Sequence, residues 1–345
     1  MLETFWFCVV AVMLAAYVVL DGYDLGAGIV HLLVARSADE RRQVVESIGP
    51  FWDGNEVWLL ASGGTLYFAF PALYAASFSG FYLPLMMVLW LLMLRGISIE
   101  FRSHVESPVW GPLWDVVFSG SSALLAIFLG AALGNVVRGV PLTASGFFFL
   151  PLWGNFGVNG ALGVLDWYTV MIGITAFATL MLHGALWVAW KTEGPLAERC
   201  RQVAARTWWA VAILVVAITG LSFWIQPQLA ASFSARPWGY AFPAAALLAL
   251  ALVRLWAPRR TTAPFLASSA FIVAMLVSAA FGLYPYLLVS RGDPQFGLTI
   301  GNAAAAGYGL RAGLWWFIPG IALVIGYFVF IYRRFSGKVR PSQPG

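Results

Sequence analysis

Two pairs of carboxylates raise the first chemical question in this chain. Asp21 and Asp24 stand in the stretch Asp21-Gly22-Tyr23-Asp24-Leu25-Gly26-Ala27-Gly28, which continues an apolar run from Phe5 to Leu20 without a break. Residues three apart on a helix share a face, so both acids look the same way from one membrane helix. A charged side chain at the centre of a spanning helix costs roughly 2.5–3.5 kcal/mol on insertion scales. Groups kept there at that cost serve a proton or ion path, or meet a polar partner inside the protein. Asp53 and Glu56 repeat the spacing at the start of the next apolar segment. The chemistry open to these four groups is proton uptake and release. The structural readings are a helix N-cap for Asp53, where a carboxylate is favourable anyway, and a buried hydrogen bond for Asp24.

The elements that position these acids follow from composition. Of 345 residues, 61% are hydrophobic and 10% charged, with a mean hydropathy of +0.82. Soluble domains carry about 25% charged residues, so the chain reads as a polytopic, all-α membrane protein, a single integral membrane domain over 1–345. No Lys or Arg precedes the first apolar run, so that run is expected to be a retained first span rather than a cleaved signal peptide. A span needs about 20 apolar residues, and nine candidates result: roughly 5–33, 51–72, 75–100, 115–138, 161–190, 204–226, 238–257, 264–290 and 308–332. The second and third are divided at Pro71-Ala72-Leu73-Tyr74.

Nine spans place the termini on opposite sides, and the basic residues test this. On one side fall Arg36, Arg41, Arg42, Arg95, Arg102, Lys191, Arg199, Arg201, Arg206, Arg254, Arg259, Arg260, Arg333, Arg334, Lys338 and Arg340; on the other fall only Arg138, Arg236, Arg291 and Arg311. Positive-inside bias therefore predicts a periplasmic N-terminus and a cytoplasmic C-terminus. Asp24 lies near the inner end of the first span. Asp53 and Glu56 open the second from the same side, and Arg95 and Glu100 close the third there. Carboxylates gathered toward one face suit a proton inlet.

Other residue types point to less. The net charge of +5 is spread over short loops, which suits topology rather than nucleic-acid binding. Cys8 and Cys200 form neither a CxxC nor a metal spacing. His31, His104 and His183 include no pair four residues apart. His183 in a span has the chemistry of a haem axial ligand, but a satisfied polar group is the reading preferred. Gly22 and Gly26 make a GxxxG, and Gly63-Gly64 interrupts the second span; small residues let helices approach closely in lipid. The 17 tryptophans and 12 tyrosines gather near span ends, as at Trp208-Trp209 and Trp315-Trp316, an interfacial belt or the lining of a quinone or lipid groove.

These motifs together resemble a family. Asp21 to Gly28 looks like the first-helix signature of subunit II of cytochrome bd-type quinol oxidases. Ile48-Gly49-Pro50-Phe51-Trp52-Asp53-Gly54-Asn55-Glu56-Val57-Trp58-Leu59 looks like its second-helix motif, and Tyr74-Ala75-Ala76-Ser77-Phe78-Ser79-Gly80-Phe81-Tyr82 continues it. Phe101-Arg102-Ser103, Gly134-Asn135-Val136-Val137-Arg138-Gly139-Val140-Pro141, Tyr284-Pro285-Tyr286 and Leu298-Thr299-Ile300 follow in order. Glu56 stands where the family often has Gln, which resembles its cyanide-insensitive branch.

The resemblance implies two four-helix bundles plus one peripheral helix, in a bacterial inner-membrane heterodimer. Subunit I would bind haem b and haem d, oxidise quinol at the outer face and reduce oxygen to water. Subunit II would be haem-free and supply part of a cytoplasm-facing proton path while supporting assembly; relatives can hold a structural quinone. The acids implicated in the family correspond to Asp24 and Asp53, beside Trp52, with Asp21 and Glu56 as secondary candidates. Two other readings compete: a proton-coupled secondary transporter, which would show an inverted repeat with midplane charges in both halves, and a passive assembly scaffold, for which the acids would be dispensable.

Overall fold

A computed structural model describes residues 1–105, 107–257 and 261–339. The helices in chain order are α1 (Leu2–Val34), α2 (Ala38–Ile48), α3 (Trp52–Ala69), α4 (Pro71–Gly80), α5 (Tyr82–Phe101), α6 (Trp110–Arg138), α7 (Trp167–Lys191), α8 (Gly194–Ile225), α9 (Pro227–Ala235), α10 (Ala241–Trp256), α11 (Ala263–Leu283) and α12 (Gly307–Arg334). Two short strands, β1 (Tyr286–Leu288) and β2 (Leu298–Thr299), pair antiparallel. Helix α6 packs along α7 and α5, α7 along α8, α10 along α11, and α1 along α3, α6 and α7. Helix α1 also lies against α11, whereas α12 makes slighter contact with α1 and α3.

Among the described residues, eight helices are long and apolar enough to cross a membrane. The expected span at 51–72 is the one that does not qualify. Its helix, α3, has 18 residues and opens on Asp53, Asn55 and Glu56, so its polar first turns dilute its hydropathy. The break expected at 71–74 falls instead at Phe70 and again at Phe81. Pro71 starts α4 rather than ending α3, because its missing N–H costs nothing in a first turn.

Other boundaries moved for local reasons. The span expected from 161 starts at Trp167, because Val164 and Leu165 donate their N–H groups to Pro151 O and Leu152 O at 2.9 and 3.0 Å. Asp166 then caps α7, accepting from Tyr168 N and Thr169 N at 2.8 and 2.9 Å, while Thr169 Oγ1 accepts from Asp166 N. This capping box holds a helix start firmly. The span expected to 290 stops at Leu283, since the residue before Pro285 is steered out of the helical region, and the chain enters β1. Helix α8 begins at Gly194, ten residues before the expected 204, because its charged first turns are helical too. Helix α6 ends on Gly139 at φ +90°, where a Cβ would meet Val289 O at 2.8 Å; only glycine serves there.

The small sheet and the amphipathic helix α2 were not anticipated. Ser37 caps α2 by accepting from Glu40 N at 3.2 Å. Burial opposes the charge of Glu40, but the Arg36 backbone N–H at 2.7 Å and the Arg199 guanidinium outweigh it and hold the carboxyl below its ordinary range. Arg199 also donates to Val34 O at 2.6 Å, fastening α8 to the end of α1. Arg138, Arg236 and Arg291 meet Gly163, Tyr284 and Ile225 at the end that carries the strands. Arg259, Arg260 and Arg340 lie outside the described residues.

Candidate functional site

Helix α1 sets the site, because Tyr17, Asp21 and Asp24 fall on one stripe at four- and three-residue steps, and all are buried. Arg95 of α5 is buried with no exposed surface and faces that stripe. Its Nη1 stands 2.7 Å from Asp21 Oδ1 and its Nη2 2.9 Å from Glu56 Oε2 of α3. The Asp21 contact is one of charge, without the alignment of a hydrogen bond. Tyr17 lies buried one turn before Asp21 on the same helix. Buried charges persist only when paired, and one guanidinium serves two acids here, as its planar fork allows. Asp21 and Asp24 have no exposed surface, whereas the Glu56 side chain is 25% exposed. Glu56 is thus the open member of the set.

Asp24 is held separately. Asn55 of α3 is fully buried, and its Nδ2 lies 2.8 Å from Asp24 Oδ2 and 2.6 Å from Tyr23 Oη. Tyr23 Oη lies 2.6 Å from Tyr332 Oη near the end of α12. The Tyr23 ring stacks on Trp187 of α7 at 3.9 Å between centroids. Asp24 therefore ends a line of polar groups running α1, α3, α1, α12.

Of the five residues that the sequence nominates, Asp21, Asp24 and Glu56 converge. Asp53 sits in the first turn of α3 but points to the exposed surface, and Phe51 occupies the cap position, so the expected N-cap does not form. Its charge still faces the favourable end of the helix dipole. Trp52 packs its ring beside Gly96 of α5, where a Cβ would touch it at 3.6 Å. The sequence reading missed Asn55, Tyr23 and Tyr332 as partners. Asn55 lay unremarked inside the second-helix motif, two residues from Asp53. Arg95 carried a visible signal: it is an arginine set within the apolar run 83–99.

Each histidine has a hydrogen-bond partner, although His31 keeps a buried Nδ1 without one. His183 is buried, with Nδ1 2.6 Å from Ser268 Oγ and Nε2 3.0 Å from Val19 O. Both ring nitrogens are engaged, which does not suit an axial ligand. His31 Nε2 meets Asp115 Oδ1 at 2.7 Å, and Asp115 also takes Arg41 and Arg102 at 3.2 and 2.5 Å. His104 Nδ1 lies 2.8 Å from Glu100 O at the surface. Among the described residues, no three His, Cys, Asp or Glu side chains are placed to share a metal ion.

Comparisons with known proteins bear on this geometry. The family described as cytochrome bd terminal oxidase subunit II matches residues 2–335. The chain is 29% identical to cytochrome bd ubiquinol oxidase subunit 2 of Bacillus subtilis, covering 99% of this chain and 98% of that one. It is 28% identical to cytochrome bd-I ubiquinol oxidase subunit 2 of Escherichia coli K12, over 98% and 95% of the two chains. It is 26% identical to a probable cytochrome oxidase subunit 2 of Haemophilus influenzae, again over 98% and 95%. In fold it is similar to a chain in the structure of bd oxidase from Geobacillus thermodenitrificans, with a TM-score of 0.75 over 97% and 98% of the chains at 18% identity.

Proposed function

The chain belongs to the cytochrome bd terminal oxidase subunit II family, and from that premise we propose that it is the haem-free half of a quinol-oxidising, oxygen-reducing heterodimer whose buried acids carry protons toward the partner. It is a multi-pass membrane protein and a subunit of a quinol:oxygen oxidoreductase. Subunit I holds haem b and haem d, quinol gives up its electrons there, and oxygen is reduced to water. The complex sits in the bacterial inner membrane. Helix α3 completes the ninth crossing: 18 residues reach about 27 Å at 1.5 Å each, close to a hydrocarbon core of about 30 Å. The termini then lie on opposite sides, with the N-terminus periplasmic, and the arginine-rich helix ends face the cytoplasm.

The observation that carries the reading is the Asp21–Arg95–Glu56 group with Asp24 beside it, buried inside the protein except at Glu56. Protons enter past Asp53, which is exposed at the mouth, and Glu56, and Asp24 holds them before they pass to the partner. A transporter would need charges at midplane in the second half as well. The buried charged residues described on α7 to α11, Asp166 and Lys191, stand at the two ends of α7.

The test is made in the assembled complex. Asp24→Asn is expected to lower quinol-driven oxygen consumption roughly 100-fold or more, the lower range for loss of a positioned proton-transfer group. Asp53→Asn, at an exposed position, is expected to cost severalfold. Unchanged consumption and proton uptake in a normally assembled Asp24→Asn complex would leave a scaffold as the function.

A further inference from the structure

Asn55 uses the two ends of its amide unequally. Nδ2 has three oxygens in reach: Tyr23 Oη at 2.6 Å, Asp24 Oδ2 at 2.8 Å and Leu20 O at 3.3 Å. An amide nitrogen has two hydrogens to give. Oδ1 is buried and has no partner among the described residues, a state that native proteins avoid. A half-turn of the amide exchanges the two ends without moving the backbone.

The neighbours decide what each orientation means. With Nδ2 toward Asp24, the amide donates to an ionised carboxylate. With Oδ1 toward Asp24, the contact is a hydrogen bond only when the carboxyl carries a proton. Tyr23 follows the same logic. When Nδ2 donates to Tyr23 Oη, the Tyr23 hydrogen goes to Tyr332. When Oδ1 faces Tyr23, the Tyr23 hydrogen goes to Asn55, and Tyr332 donates to Tyr23 in turn. The rings hold the oxygens still while the hydrogens reverse: Tyr23 stacks on Trp187 at 3.9 Å, and Tyr332 lies 4.7 Å from the Phe51 ring.

We propose that Asn55 is a two-position amide switch that reads the protonation of Asp24 and reverses the Tyr23–Tyr332 hydroxyl pair with it. This rests on Asp24 carrying protons. One proton joins Asp24 Oδ2 in the step; the amide and the two hydroxyls only reorient, and no other bond to hydrogen breaks. Asn55 and Tyr332 are positioning residues for Asp24. The charged and titratable groups facing this site are Asp21 on α1, Glu56 on α3, Arg95 on α5 and Tyr332 on α12, with His183 of α7 beyond the Tyr23 ring at 6.3 Å.

The experiment uses the assembled oxidase and two readouts: the pH profile of quinol-driven oxygen consumption, and the infrared C=O band of protonated Asp24, identified by its loss in Asp24→Asn. Asn55→Leu keeps the side-chain bulk and removes both amide ends. It is expected to move the carboxyl band and to shift the midpoint of the profile by about half to one pH unit, the threefold to tenfold change of one hydrogen bond. Tyr332→Phe is expected to move both in the same sense by less, and Asn55→Gln to restore part of the shift. Band and profile unchanged in Asn55→Leu and Tyr332→Phe, while Asp24→Asn abolishes both, would overturn the switch and leave the proton path standing. Normal turnover in Asp24→Asn would remove both proposals. If Asn55→Leu fails to assemble, Tyr332→Phe decides the matter, because it removes one half-buried hydroxyl and keeps the ring.

Discussion

Arg95 is the residue on which the acids depend. It has no exposed surface and stands within 2.9 Å of two carboxylates on two other helices. Removing one partner from a buried ionic group leaves an uncompensated charge, at a cost of about 3–5 kcal/mol. Arg95→Leu is therefore expected to lower the thermal unfolding midpoint of the complex and its yield, and adding Asp21→Asn to return part of the loss. Equal midpoints for Arg95→Leu and the parent would mean that the carboxylates are already neutral. Asp21, Asp24 and Glu56 were legible from their spacing within apolar sequence. Asn55 was not, because a single amide beside two acids has no periodic signature; only the packing of α3 on α1 aims it at Asp24.

At the scale of elements, the site is held by the crossing of α1 and α7. A Cβ built on Gly184 would lie 2.1 Å from the Gly26 carbonyl carbon, and one on Gly26 would lie 2.0 Å from Leu180 O. The two backbones touch, as small residues permit in lipid. Gly184→Ala must part the helices, at a cost of about 1–3 kcal/mol for overpacking or more. It is also expected to loosen the Tyr23 stack on Trp187, one turn along. Gly220, whose Cβ would meet nothing within 4 Å, is expected to accept alanine with little change. Differential scanning of the two purified complexes checks both outcomes. The Gly22-x-x-x-Gly26 spacing in the sequence was a weak hint, because 35 glycines produce such matches freely. Which glycine faces a partner helix is a property of the pair, and Gly184 has no matching motif on α7.

For the whole molecule, the proposed nine crossings make a prediction about sidedness. Helix α3 sets the parity of the count, and thiol labelling tests it. In a Cys8→Ser background, Ala38→Cys and Ser336→Cys are expected to react with a membrane-impermeant reagent only after right-side-out vesicles are opened. Ser145→Cys is expected to react from outside. Residues 38, 145 and 336 are all exposed. If Ala38→Cys and Ser336→Cys label from opposite sides, α3 does not span, and the acids belong to an interfacial helix instead of a path.

The sequence by itself determined the class of the molecule and the family to which its motifs belong. The class follows from transfer free energies that act residue by residue along the chain, and the family from motifs read in order, so neither needs a partner in space. The tertiary structure alone decided that Arg95 joins Asp21 to Glu56, that Asp24 stands apart on Asn55, and that Asp53 looks outward. Those are matters of rotation about helix axes and of contacts between α1, α3, α5 and α12. A helix that is apolar nearly all round carries little periodic signal of which face meets which neighbour.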